Sequence, residues 1–276
     1  MARALDGKVA IVTGGGRGIG RAIASALANA GARVTITAAR TGAELDDAAA
    51  AIAGNVGKDC VLALKADVTD DADCRRVVEQ TVARFGRLDI LVNNAGRGYR
   101  FILEANAHLP EKERLKFWNT PTDLWRSIVD TNVTGPFLMA KAAVPEMLKR
   151  KAGRIINIGA TFNTMRKAGN APYGTSKTTI EPATAIWSQD LAGTGVTVNT
   201  LMPGGATQTG MATALSGTGG KKLLDPAIMG PPAVWLCSEE ASTVTGARVD
   251  AKLWDAALAG AEALKKAKAA DLIPEA

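Results

Sequence analysis

Tyr173 and Lys177 stand four residues apart in APYGTSKTTIEPATAIWSQDL, a segment whose pattern predicts a helix, so both side chains project from one face. A nearby ammonium favours the phenolate and lowers the phenol's pKa, which suits a tyrosine to exchange a proton with a hydroxyl or carbonyl nearer neutral pH. A second constellation lies near the start of the chain, where KVAIVT runs into GGGRGIG and then into RAIASALANAG. Glycines at 14, 18 and 20 let the chain turn sharply and bring backbone N–H groups and a helix N-terminus up to a pyrophosphate. Strand before and helix after are the context a dinucleotide fingerprint needs.

Which dinucleotide is addressed next to the second strand. An acid at its end would hold the ribose hydroxyls of NAD and repel the 2′-phosphate of NADP. That end reads Thr37-Ala38-Ala39-Arg40, without an acid, and Arg17 and Arg40 could instead pair with a 2′-phosphate, the alternative being two solvated surface arginines. NADP(H) is therefore the expected cofactor, with NAD(H) the alternative.

The elements that must carry these groups recur along the chain: apolar runs at 8–13, 32–38, 61–67, 88–94, 153–159 and 195–202, with helical patterns between them. This alternation predicts an α/β fold, a single-domain, Rossmann-type doubly wound parallel sheet of about seven strands with helices on both faces. One domain spanning 1–276 is expected, and 47% hydrophobic residues supply its core. Two segments break the rhythm. Residues 97–121 read as an insertion near the substrate site, with Tyr99, Phe101, Phe117 and Trp118 either lining an apolar pocket or anchoring the insertion. Residues 204–225 read as a loop with short helical pieces. The tail 250–276 carries an alanine-rich helical stretch, for which a solvated terminal helix is the simplest expectation.

Three scattered cysteines and a single histidine, His108, make a disulfide framework or a metal site unexpected. The first ten residues lack a signal-like apolar stretch and no apolar run reaches membrane-span length, so a soluble, cytoplasmic protein is expected. The net charge of +6 is dispersed among acids and aromatics make up 4%, which argues against nucleic acid and leaves a small-molecule substrate.

The spacing Thr13-Gly14-x-x-x-Gly18-Ile19-Gly20 resembles the short-chain dehydrogenase/reductase family. Asp67-Val68, Asn93-Asn94-Ala95-Gly96, Asn132, Tyr173-x-x-x-Lys177 and Pro203-Gly204 extend the resemblance in order over residues 8 to about 250. It implies an NAD(P)(H)-dependent oxidoreductase that interconverts a carbonyl and an alcohol. Tyr173 would be the general acid/base, with Lys177 holding the nicotinamide ribose and keeping the phenol acidic. Asn132 would steady a water chain behind Lys177. Asp67 would bond the adenine amino group beside the Val68 backbone, and Asn93, Ala95 and Gly96 would lie near the adenosine ribose. Pro203, Gly204 and Ala206 would border the nicotinamide, with Thr207 or Thr209 near its carboxamide. The segments 122–150 and 171–192 resemble helices that build family dimers and tetramers, implying a homodimer or homotetramer.

One position departs from the family. The serine expected thirteen residues before the tyrosine is Ala160, whose methyl group donates no hydrogen bond. Three readings remain open: a serine-to-alanine replacement made to trap a complex, an enzyme in which Thr161, Thr164 or an insertion residue supplies the hydroxyl, or reduction of an imine or activated C=C bond that needs less polarisation. Thr161, one residue along an extended segment, would point to the opposite side. His108 could act as a further substitute acid, although a lone histidine in a polar insertion is more often a surface residue. A catalytically weakened NADP(H)-binding interaction protein is the rival from another class.

Overall fold

The computed structural model describes residues 3–40, 42–209 and 223–273, the side chain of Tyr99 excepted. Residues 210–222 of the second interruption and the last three of the tail lie outside the described residues. The chain begins β1 (Val9–Thr13), α1 (Gly18–Asn29), β2 (Arg33–Ala38), α2 (Ala43–Val56), β3 (Val61–Lys65), α3 (Asp71–Phe85) and β4 (Ile90–Asn93). It continues through α4 (Tyr99–Ala105), α5 (Thr122–Val129), a π-helical turn (Asp130–Thr134), α6 (Gly135–Lys149), β5 (Gly153–Ile158), α7 (Phe162–Arg166) and α8 (Tyr173–Asp190). The last elements are β6 (Val196–Met202), α9 (Gly230–Leu236), β7 (Ala247–Asp250), α10 (Gly260–Ala267) and β8 (Lys268–Asp271).

These form one sheet in the order β3-β2-β1-β4-β5-β6-β7-β8. The first seven strands are parallel, and β8 pairs antiparallel with β7 through Ala247↔Asp271 and Arg248↔Ala270. The expected seven strands are thus joined by an eighth contributed by the tail, which does not end as a solvated helix: Ala263 and Ala267 of α10 are buried. Antiparallel closure covers the edge of β7, and the new edge is a four-residue strand carrying Lys268 and Asp271, the short charged kind that resists further pairing.

Both faces of the sheet are packed, which is why the strands read as continuous apolar runs. Consecutive side chains still alternate: Ala10 and Val12 join the layer with Ile23, Leu27 and Ala233, while Ile11 joins Val77, Met139 and Ala143. The order reverses at β1 and β4, and the carboxyl ends of these central strands leave the crevice in which ligands of such sheets bind.

Within 97–121, Ile102 is fully buried and Asn106 Nδ2 donates to Arg114 O at 2.7 Å, which ties the insertion down. Phe117 and Trp118 do neither of the things expected of them. They are 68% and 62% exposed, stacked edge-on against each other, with Lys116 over the Trp118 ring.

Candidate active site

A cavity of about 750 Å³ opens at the carboxyl ends of the strands. That lies within the about 300–1,000 Å³ of ligand sites. One end is formed by the glycine loop. Gly18 opens α1 with φ +54°, and a side chain at Gly20 would collide with the Gly14 carbonyl and Asn94. The helix begins at Arg17 with no side-chain cap and no acid in its first turn, so its N–H groups are left for an anion. The residues present therefore fit a pyrophosphate.

Asn94 holds this loop in shape, a role the sequence did not suggest. Its Nδ2 donates to Thr13 O at 2.8 Å and Gly14 O at 3.1 Å, while Thr13 Oγ1 accepts from the Asn94 and Ala95 N–H groups at 3.0 Å each. Its neighbour Asn93, expected near the ribose, faces the other way. Asn93 is buried, donating through Nδ2 to Asn157 Oδ1 at 2.9 Å and to Pro136 O at 3.4 Å. Strand alternation sends the two asparagines to opposite sides.

Gly14, Arg17, Gly18, Ile19, Gly20, Arg40, Asp67, Val68, Ala95 and Gly96 all line the cavity, as do Pro203, Ala206, Thr207 and Thr209. Gly204 does not: its φ of +75° and close approach to the Asp250 carboxylate and Lys252 make it a packing position. Asp67 Oδ1 is engaged locally, accepting from Thr69 N at 2.9 Å and Thr69 Oγ1 at 2.8 Å. Beyond β2, Arg40 lies over the Phe101 ring, with Arg97 against the same ring at 5.0 Å. Arg17 is partly offset by Glu44, a cavity-lining acid at 3.4 Å that the strand-end pattern did not reveal.

At the other end lie Tyr173, Lys177, Ala160, Thr161 and Thr164. Lys177 Nζ donates to Ile158 O at 2.7 Å, which aims the ammonium at the end of β5. Burial pushes the Lys177 amine down from 10.5 to about 8 and the Tyr173 phenol up from 10.0 to about 12. Desolvation disfavours both the phenolate and the ammonium, so burial moves the phenol in the direction opposite to the acidification expected from Lys177. Asn132 lies buried in the π-helical turn, outside the cavity lining. It accepts from Arg97 N at 2.8 Å and donates to Arg97 O and Ser176 Oγ at 2.9 Å each; Ser176 Oγ in turn donates to Tyr173 O at 2.8 Å. Its described partners thus link the start of the insertion to α8. His108 does not line the cavity.

The turn carrying Ala160 is secured from behind. Arg248 of β7 donates through Nε to Glu181 Oε1 at 2.6 Å and through Nη2 to Ala160 O at 3.2 Å, with its guanidinium 4.2 Å from the Phe162 ring centre. Both members of this ion pair are buried. Glu181 lies one helical turn beyond Lys177, which lies one turn beyond Tyr173, so the pair and its support share a face of α8. Neither Glu181 nor Arg248 could be found from spacing, since β7 is a four-residue strand far along the chain.

Among the described residues no group of three or more His, Cys, Asp and Glu side chains is arranged to hold a metal ion, and no helix is long and apolar enough to cross a membrane. Residues 8–218 match the family model described as short chain dehydrogenase. The chain is 37% identical over 251 residues to the 3-oxoacyl-[acyl-carrier-protein] reductase FabG of Vibrio harveyi, covering 88% of this chain and 94% of that one. It is 33% identical over 257 residues to glucose 1-dehydrogenase 2 of Bacillus subtilis, covering 90% and 94%. The crystal structure of 3-ketoacyl-(acyl-carrier-protein) reductase from Brucella melitensis complexed with NADH superposes with a TM-score of 0.76 at 30% identity, covering 89% of this chain and 97% of that one. With a crossover sheet, a glycine loop and a Tyr-Lys pair meeting in one cavity, the chain belongs to the short-chain dehydrogenase/reductase family.

Proposed function

We propose that this chain is an NADP(H)-dependent oxidoreductase interconverting a carbonyl and an alcohol in a small organic molecule. The observation that carries the reading is the single cavity in which Tyr173 and Lys177 face the same space as the uncapped start of α1 and Arg40. A bound nicotinamide supplies the hydride in reduction and accepts it in oxidation. Tyr173 passes its proton to the carbonyl oxygen in reduction. A phenol near 12 is fully protonated at neutral pH, which suits that direction. Lys177 favours the phenolate that oxidation requires, and it does so only while it is an ammonium, below about pH 8.

Arg40 is the reason for preferring NADP(H). Arg17 shares its charge with Glu44, whereas Arg40 makes no ion pair among the described residues and stacks on Phe101. A phosphate bonded to a guanidinium gains roughly 1.5–3 kcal/mol, about tenfold to a hundredfold in affinity. The Arg40→Ala variant should therefore lose that factor for NADPH and little for NADH, as measured by cofactor fluorescence. Equal affinity of the parent for the two cofactors would remove the preference. Oxidation of NADPH by a carbonyl panel tests the activity itself, and absence of turnover by both the parent and Ala160→Ser would sink the enzyme reading. The Ala160 methyl in the cavity favours one second reading, reduction of an imine or activated C=C bond. A homodimer or homotetramer built on α6 and α8 accords with Phe137 and Ile186, which leave those helices 49% and 55% exposed.

A further inference from the structure

A carbonyl that accepts hydride gathers negative charge on its oxygen, and the site's electrostatics must meet that charge. Tyr173 is one donor. Of the other hydroxyl groups around the cavity, two have already committed their proton. Thr131 Oγ1 donates to Ser127 O at 2.8 Å and Thr207 Oγ1 to Gly205 O at 3.2 Å. Lys177 Nζ is turned to Ile158 O and Asn94 to the glycine loop.

Thr161 and Thr164 differ. Thr161 Oγ1 accepts from Thr164 N at 3.2 Å, and the two hydroxyl oxygens lie 3.0 Å apart. One hydrogen bond between two hydroxyls consumes one proton. Whichever member donates, the other keeps an O–H with no acceptor among the described residues. Both residues line the cavity. Thr161 reaches it, against the expectation from simple strand alternation, because it caps the short helix α7 instead of continuing β5. The same turn is locked against the start of α8: Asn170 Nδ2 donates to Thr164 O, and a side chain at Gly174, next to Tyr173, would strike the Met165 carbonyl.

We propose that the coupled hydroxyls of Thr161 and Thr164 form the second donor to the substrate oxygen, doing from a helix cap what Ala160 has no group to do. This rests on the carbonyl/alcohol reading. The mutual bond lets one proton be shared, so the outward O–H strengthens as its partner polarises it.

The test uses the full chain in parent, Thr164→Val, Thr161→Val/Thr164→Val, Thr164→Ser and Ala160→Ser/Thr161→Val/Thr164→Val forms. Each is assayed for NADPH binding and for carbonyl reduction. The double valine variant should lose about 10²–10³ in kcat. Its NADPH dissociation constant should stay at the parental value, Thr164→Ser should keep the parental rate, and Ala160→Ser added to the double variant should restore most of what that variant lost. Thr164→Val alone leaves the cap oxygen in place and guards against a misfolded double variant. Undiminished kcat in the double variant overturns the proposal alone. Tenfold weaker NADPH binding would assign the hydroxyls to the cofactor and also overturn it. Absence of turnover by both the parent and Ala160→Ser overturns the carbonyl reading and this proposal with it.

Discussion

Replacing Arg248 by methionine should be among the most damaging single changes outside the cavity. The change removes the partner of Glu181, whose side chain is 9% exposed, and the donor to Ala160 O. An uncompensated buried carboxylate costs roughly 3–5 kcal/mol. At the roughly 2 °C per kcal/mol expected of a chain this long, the melting temperature should fall by about 6–10 °C. Glu181→Met should also destabilise, but less, because the stranded guanidinium still donates to Ala160 O and lies over Phe162. Replacing both with methionine should return most of the loss, since a well-packed apolar pair often matches a buried ion pair. A double-mutant cycle from urea midpoints would give a coupling energy above about 2 kcal/mol. Hydrogen exchange should show faster opening at 159–165 in Arg248→Met, where the turn has lost its anchor. Single variants costing below about 1 kcal/mol, or a double variant as unstable as the sum, would refute the reasoning.

Two further outcomes follow from the cavity. Lys177 binds its proton less tightly when folded, about 8 against 10.5, so the unfolded chain holds more protons between those values and stability must rise with pH across that window. Compared with Lys177→Met, urea unfolding of the parent should gain about 3 kcal/mol between pH 8 and 10.5, and a constant difference would contradict the burial. Gly20→Ala should abolish NADPH binding measured by fluorescence and lower the melting temperature, because its methyl would meet the Gly14 carbonyl; parental affinity would show that the loop yields.

The sheet was legible because strands packed on both faces are mainly apolar: β1, β2, β4, β5 and β6 announced themselves this way, and the half-buried edge strand β3 carried the same pattern. Strands β7 and β8 did not: ARVD and KAAD are four residues each with charged members, and only pairing to neighbours makes them strands. In the site, residue types at fixed spacing located the Tyr-Lys pair, the glycine loop and Arg40. What spacing could not give was direction and medium. Asn93 and Asn94 are adjacent yet serve opposite faces, Asn132 turns to the Arg97 backbone, and the phenol rises instead of falling because desolvation depends on what closes over it. Glu44, Glu181 and Arg248 were invisible because each acts through a partner on a distant element.

The Asn94 amide has a thermodynamic meaning beyond its hydrogen bonds. By joining the ends of β1 and β4 to the glycine loop, it charges the ordering of that loop to folding and not to ligand capture. A cofactor arriving there meets amides already fixed in place, so its affinity is drained little by conformational entropy. The Gly15 N–H, bonded to Thr37 O at 3.0 Å, should accordingly exchange slowly before the ligand arrives, whereas the uncapped N–H groups at 18–20 should exchange fast until an anion accepts from them.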